Sequence, residues 1–256
     1  MSDQGKKPLT DTGVGYFRTA EAPYHSLLFV LPLIAAYEVG IRHLAGSASL
    51  GGDPGTHPQI VAFTLMQRFF VWFGATGAML PALSVVGILL AWHVARKDAW
   101  KIRPLVLGGM AVESVLLAIP LIGVGFAVAN HMALWAFPAP DPATLKLLVL
   151  SCGAGVYEEA VFRLGAMTLL SFLLCDVLRI PSRVGLVLVV MVSSVLFALY
   201  HYWGSELFTW RSMVFRTIAG VYFALLFLTR GFGITAGAHA AYDIFVVSMR
   251  QFVADT

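Results

Sequence analysis

Three charged residues lie inside an apolar stretch of the chain, in residues 157–163, which read YEEAVFR. On an α-helix, Glu159 and Arg163 are four positions apart, in the order that favours an ion pair. Glu158 projects about 100° away from Glu159 and has apolar residues three and four positions further on. A carboxylate without a partner in such a segment is costly, so Glu158 requires polar groups from another helix.

Two later apolar segments carry polar groups of the required kind. The first contains FALYH, residues 197–201, and the second contains HAAYD, residues 239–243. His239 and Asp243 are four positions apart and share one helix face. Together with Glu158 and His201, they could surround one water molecule or one metal ion. A carboxylate and imidazoles around a water are typical of hydrolytic chemistry, in which the carboxylate is the general base.

The same residue types leave the metal question open. Glu158, His201 and His239 would form a three-ligand zinc set with a fourth position for water. Cys152 and Cys175 are the only cysteines, and both lie in apolar surroundings. They indicate neither a disulfide framework nor a thiolate metal site.

A second class of function fits the same inventory. In a non-catalytic membrane scaffold, or in an ion- or proton-coupled transporter, Glu158, Glu113 and the histidines would bind a cation or relay protons. The spatial arrangement of these residues distinguishes the two classes of function. A hydrolase requires Glu158, His201 and His239 around one water, whereas a relay would string them along the membrane normal.

The composition indicates the elements that must position these residues. Of the 256 residues, 59% are hydrophobic and 12% are charged, with a mean hydropathy of +0.81. This is too little polar surface for a soluble globule, so we predict an all-α, polytopic membrane bundle of seven or eight transmembrane helices. The candidate spans are residues 25–45, 76–95, 104–129, 144–164 with a continuation toward 178, 184–203, 213–229 and 234–252. Residues 59–75 are predicted to form an amphipathic helix in the interface.

Basic residues predict the orientation. Lys and Arg precede the first span and follow the second, whereas the intervening loop has none; the residues are Lys6, Lys7, Arg18, Arg96, Lys97, Lys101 and Arg103. The positive-inside rule then predicts that the polar segment at residues 1–23 is cytoplasmic, and the apolar spans predict a membrane domain at 24–256. We expect an integral protein of the cell (inner) membrane. Anionic lipid accounts for the basic loops, and nucleic acid is not required as a partner.

Other polar residues in the spans have simpler interpretations. Glu38 and Glu113 are predicted either to make hydrogen bonds between helices or to contribute to a substrate groove. A histidine near a helix end, such as His93 or His131, is predicted to reach the lipid headgroups.

The three motifs together resemble a known family. EEAVFR at 158–163, FALYH at 197–201 and HAAYD at 239–243 are similar, in type and order, to the motifs of the CAAX prenyl protease type II and bacteriocin-processing (CPBP) family of intramembrane proteases. The resemblance covers roughly residues 144–250, and it implies that the catalytic core lies there. The front of the chain, EAPYHSLLFVLPLIAAYE, also resembles the family branch called myxosortases, which trims C-terminal sorting tails.

The resemblance implies roles for individual residues. Glu158 with His201 would activate a water, and His239 with residue 243 would stabilise the oxyanion. The family often has Asn where this chain has Asp243. An ionised Asp cannot donate a hydrogen bond, so it must be protonated or must orient His239, and we favour orientation. The supporting residues of the motifs are Glu159, Arg163 and Phe197.

The resemblance also favours a mechanism without a metal or other cofactor, although zinc on Glu158, His201 and His239 stays the alternative. The implied substrate is a membrane-associated protein or peptide, cut in or near the bilayer, with processing of a C-terminal tail as one form of the reaction.

Overall fold

The computed structural model of the protein describes residues 15–48, 60–129, 142–203 and 207–254. Within these ranges all regular structure is helical and no strand occurs. The predicted all-α membrane bundle is therefore confirmed. Residues 1–14 of the predicted polar segment, His131 and the loop at 49–59 lie outside the described residues.

The helices follow one another with short connections. They are α1 (Gly15–Ala20), α2 (Pro23–Ala48), α3 (Val61–Trp72), α4 (Leu80–Arg96), α5 (Pro104–Ala129), α6 (Pro142–Glu159), α7 (Thr168–Ser171), α8 (Ser182–Tyr200) and α9 (Trp210–Ala254). A π-helical segment, Ala160–Met167, joins α6 to α7, and a second one, Phe172–Val177, continues from α7. A 3₁₀ turn, His201–Trp203, follows α8.

Five helical segments are long and apolar enough to cross a bilayer. They are Pro23–Leu44, Pro104–Val128, Thr144–Val177, Ser182–Trp203 and Trp210–Met249. Helix α4 is apolar and has 17 residues, which gives a length of about 26 Å and approaches the ~30 Å of a hydrocarbon core. Helix α3, at 12 residues, is too short to cross and coincides with the segment predicted to be amphipathic.

The last helix, α9, is a hairpin of two helical arms that meet at Gly231. Gly231 has φ 74° and ψ −179°, a backbone conformation that is essentially restricted to glycine. Phe223 and His239 each lie eight positions from Gly231, and their rings stack with centroids 4.5 Å apart. In a straight helix they would be about 24 Å apart. Residues 210–230 and 232–254 therefore run antiparallel, as the two separate predicted spans require. With these arms counted separately and α4 included, the described residues contain seven candidate spans.

Small residues bring α6 against the second arm of α9. A Cβ atom on Gly155 would lie 2.6 Å from the carbonyl oxygen of Ala236 and 2.7 Å from the backbone nitrogen of Ala240. The two backbones therefore approach closely, three residues before Glu158 and close to His239. This contact places the charged motif of α6 beside the histidine of α9.

A network of ion pairs and hydrogen bonds links the turn at Gly231 to α1, to α5 and to Glu21. Arg230 pairs with Glu113 of α5 at 2.5 Å and with Glu21 at 2.8 Å. Tyr16 donates a hydrogen bond to Glu113 at 2.6 Å. Burial and the neighbouring Glu113 carboxylate raise the pKa of Tyr16 to about 12, so its hydroxyl stays protonated and continues to donate.

Candidate active site

The site begins where the winding of α6 changes. The helix is α-helical to Glu159 and π-helical from Ala160 to Met167. Single π-helical turns inside α-helices occur frequently at functional sites, because the extra residue per turn re-aims side chains. Glu158 and Glu159 are the last residues before this change, and both are buried.

Glu158 faces two imidazoles and one phenol. Its Oε1 atom accepts a hydrogen bond from the hydroxyl of Tyr200 at 3.1 Å. Its Oε2 atom lies 3.6 Å from Nε2 of His201 and 3.9 Å from Nε2 of His239. Oε2 has no hydrogen-bond partner among the described residues. The structure thus brings Glu158, His201 and His239 together from three helical segments.

Glu159 and Arg163 form the ion pair that their spacing predicts. Arg163 Nε lies 2.8 Å from Glu159 Oε2, and both side chains are completely buried. Arg163 also donates to the carbonyl oxygen of Gly220 at 3.2 Å and lies over the ring of Phe197, 5.2 Å from its centroid. Arg163 therefore links α6 to α8 and to the first arm of α9.

The hydrogen bond of His201 determines its tautomer. Nδ1 lies 2.7 Å from the carbonyl oxygen of Phe197, which can only accept, so Nδ1 carries a hydrogen. In the neutral ring, Nε2 then presents a lone pair toward Glu158. Phe197 also contacts His201 edge to face, with centroids 4.9 Å apart. Phe197 thus positions His201 through both its backbone and its ring.

His239 is held by a carboxylate other than the one expected. Its Nδ1 atom lies 2.8 Å from Oε1 of Glu159, whereas Asp243 Oδ2 lies 3.6 Å from Nε2. We expected Asp243 to orient His239. The structure places Glu159 at hydrogen-bond distance instead, and Phe223 stacks on the ring. Asp243 faces the same nitrogen as Glu158, on the reactive side of the imidazole.

Sequence reasoning missed Tyr200. Its hydroxyl donates to Glu158 and accepts the backbone N–H of Ala62 at 2.9 Å, so it ties the start of α3 to the site. The signal was present in the sequence, because Tyr200 directly precedes His201 in the FALYH motif. Its contact with Glu158 depends on how α8 packs against α6, which spacing along one helix does not reveal.

Comparison with protein families bears on this arrangement. Residues 140–245 match the family model described as type II CAAX prenyl endopeptidase Rce1-like. This segment is similar to the Rce1-like family. It contains all three motifs, and the resemblance to the CPBP family is confirmed, whereas the resemblance to the myxosortase branch stays a prediction. Comparison with curated proteins and with solved structures gave no match. The Rce1-like family is a protease family, so the match supports a hydrolase.

The geometry of the matched segment also bears on whether the site could hold a metal ion. The part of the chain that the structure describes contains no group of three or more His, Cys, Asp or Glu side chains arranged to hold a metal. Zinc would require lone pairs on Nε2 of both histidines. Both nitrogens would then have to be free of a hydrogen, and zinc on Glu158, His201 and His239 stays the alternative.

The remaining buried polar residues lie outside the catalytic cluster. Glu38 accepts from Tyr157 at 3.0 Å and pairs with Arg42, and Glu113 pairs with Arg230. Both glutamates make hydrogen bonds between helices, in agreement with the first of their two interpretations. The side chain of His93 is only 1% exposed and lines a cavity, and its predicted contact with the lipid headgroups stays a prediction.

Proposed function

We propose that the protein is an intramembrane endopeptidase in which Glu158 and His201 activate a water molecule. The observation that carries the proposal is the 3.6 Å separation of two acceptors, Glu158 Oε2 and His201 Nε2. Two acceptors at this distance cannot bond each other directly, but one water can donate a hydrogen to each. Both hydrogens of that water are then engaged, and a lone pair on its oxygen is available to attack a peptide carbonyl carbon.

Each proton in the reaction has a defined destination. Glu158 accepts a proton from the water as the new C–O bond forms. When the tetrahedral intermediate collapses, the C–N bond breaks and Glu158 delivers the proton to the departing amine. The products are a carboxylic acid and an amine, and Glu158 returns to its initial state. Burial favours this role, because solvent does not screen the carboxylate.

His239 is proposed to stabilise the oxyanion. Its Nδ1 atom donates to Glu159, so donation to an oxyanion through Nε2 requires protons on both ring nitrogens. The carboxylates of Glu159, Asp243 and Glu158, at 2.8, 3.6 and 3.9 Å, supply compensating negative charge for that imidazolium. Donors fixed in place before the reaction stabilise developing charge most effectively.

Clustering supports the hydrolase over the transporter. A proton relay along the membrane normal would separate Glu158, His201 and His239, whereas their polar atoms lie within 4 Å of Glu158 Oε2. Glu113, the further member of the hypothetical relay, is engaged by Arg230 and Tyr16 near the Gly231 turn.

The proposed location is the cell membrane, with the N-terminal side of α1 in the cytoplasm. Arg18 lies beside the basic residues that follow α4, which supports placing both segments on one side of the membrane. The proposed substrate is a membrane-associated protein or peptide. Prenylated CAAX tails, bacteriocin leaders and C-terminal sorting tails all fit the family's chemistry.

The proposal is tested by comparing C-termini in cells that produce the wild-type protein, Glu158→Gln or Asp176→Asn. The Asp176 variant makes the same carboxylate-to-amide change at an exposed position away from the site. We expect new C-termini of membrane or secreted proteins with the wild type and Asp176→Asn, and none with Glu158→Gln. Membrane insertion is checked for all three. Undiminished cleavage by inserted Glu158→Gln would end the assignment.

A further inference from the structure

A cavity lined by polar side chains lies away from the candidate active site. It has a volume of about 280 Å³ and is formed where α1 and the start of α2 meet the connection between α4 and α5. It shares no residue with the catalytic cluster. Along α2, His25 in the cavity lies about 20 Å from Glu38. Glu38 accepts a hydrogen bond from Tyr157, the residue that precedes Glu158.

The lining of this cavity is strongly cationic. Four basic residues surround it, Arg18, Arg96, Lys101 and Arg103, against one carboxylate, Asp98. Asp98 is paired with Arg96 at 2.8 Å. The basic side chains of the lining therefore outnumber its carboxylates, which favours an anion over a cation as ligand.

Two buried histidines complete the wall. His93 is 1% exposed and His25 is 4% exposed, and both line the cavity. Nε2 of His25 and both ring nitrogens of His93 have no hydrogen-bond partner among the residues that the structure describes. Buried polar atoms are nearly always hydrogen-bonded, so these nitrogens indicate a ligand or solvent partner inside the cavity.

Aromatic rings hold His93 in a fixed orientation. Its ring lies between Tyr24, at a centroid distance of 5.0 Å, and the edge of Trp100, at 4.2 Å. Trp100 is itself 58% exposed, and Leu105 next to the cavity is 92% exposed. An exposed Trp beside exposed aliphatic residues is typical of the boundary between lipid tails and headgroups.

We propose that this cavity binds a phosphate-bearing anion, with the arginines neutralising its charge and the two histidines donating hydrogen bonds. At the level of the headgroups, the phosphate of an anionic phospholipid is one source, and a free phosphate is the other. The arginine fork matches the oxygens of phosphate in geometry as well as in charge.

The test measures binding to the purified full-length protein in detergent at pH 8 and constant ionic strength. One arm titrates inorganic phosphate and follows the thermal unfolding midpoint. The other arm adds phosphatidic acid or, as the neutral lipid, phosphatidylcholine, and counts bound lipids by native mass spectrometry. Binding of both phosphate and phosphatidic acid shows that the phosphate group suffices, and binding of phosphatidic acid alone identifies the lipid as the source.

Three variants distinguish binding at this cavity from a general attraction to surface charge. His93→Phe keeps an aromatic ring at this position and removes both ring nitrogens. Arg18→Gln removes an exposed cation of the cavity, and Lys97→Gln removes an exposed cation of the same connection that does not line it. We expect His93→Phe and Arg18→Gln each to weaken binding by about tenfold, and Lys97→Gln by clearly less.

Two results would overturn the proposal. The first is the absence of saturable binding in both arms, and the second is an equal loss in Arg18→Gln and Lys97→Gln. If His93→Phe does not yield a monodisperse protein, the comparison of Arg18→Gln with Lys97→Gln decides. Neither of these residues touches the catalytic cluster, so the test is independent of the proposed peptidase activity.

Discussion

His201 presents Nε2 to Glu158 at 3.6 Å because its other ring nitrogen is held by the backbone one helical turn earlier. The bond from Nδ1 to the carbonyl oxygen of Phe197 leaves the ring one orientation and one neutral tautomer. The distance to Glu158 is too long for a direct hydrogen bond and suits a bridging water. The proposed chemistry therefore depends on a local feature of α8 as much as on the packing of helices.

We expect His201→Ala to lower kcat by about 10²-fold or more, since the water loses one of its two acceptors. The measurement is cleavage of a substrate found by the comparison of C-termini, with the variant reconstituted in lipid vesicles. His43→Ala, which removes an exposed histidine from α2, is the matched control and should retain activity. Full activity in His201→Ala would assign water activation to another group.

Tyr200→Phe removes the hydroxyl that donates to Glu158 and accepts from Ala62. We expect a loss of about tenfold in kcat, because Glu158 loses a positioning hydrogen bond, and a loss of about 1–2 kcal/mol in the free energy of unfolding. Kinetics and thermal unfolding in detergent measure the two effects. Tyr202→Phe is the control, since the Tyr202 hydroxyl has no hydrogen-bond partner in the described part of the chain. Equal effects in both variants would contradict the assigned role.

Arg163→Met leaves the buried carboxylate of Glu159 without its cation. Breaking a buried pair on one side costs about 3–5 kcal/mol, so we expect a strong fall in the thermal unfolding midpoint or a failure to accumulate. The double variant Arg163→Met with Glu159→Gln should recover part of the stability, though not activity, because His239 loses its ionised partner. Arg42→Met tests a half-exposed pair of the same spacing and should have a small effect. Normal stability of Arg163→Met would refute this interpretation of the pair.

Asp243→Asn should retain activity within about tenfold of the wild type, because Glu159 already fixes His239 and an amide can itself donate to an oxyanion. Single-turnover cleavage is the measurement. Asp243→Leu, which keeps the size without a donor or an acceptor, is the companion variant and should be less active. A loss in Asp243→Asn as large as that in Glu158→Gln would show that the negative charge of Asp243 is essential.

Treatment with 1,10-phenanthroline or EDTA should leave cleavage unchanged if no step depends on zinc. The reason is that the proposed mechanism assigns activation of the water to Glu158 and His201 and no step to a metal ion. The control is a zinc peptidase assayed with the same chelator in the same detergent. Inhibition that added zinc reverses would replace the proposed mechanism by a metal-dependent one.

Much of this architecture could be predicted because lipid imposes simple rules on sequence. Apolar runs near 20 residues gave the spans, and i,i+4 spacing gave the pair of Glu159 and Arg163. The hydrogen bond between Glu159 and His239 could not be predicted in this way, since it joins residues 80 positions apart through the approach of Gly155 to the last helix. Periodicity identifies the face of one helix, whereas contacts of this kind depend on the relative height and rotation of two.

The hairpin at Gly231 makes the length of its arms part of the chemistry. Since a single residue joins them, no flexible loop can absorb an insertion or a deletion between Phe223 and His239. One added residue would turn the following side chains by about 100° and shift them by about 1.5 Å along the axis. The ring of His239 would then be misplaced even if all three sequence motifs were unchanged. A relative with a different spacing between these two residues should therefore be inactive unless a compensating change restores the register.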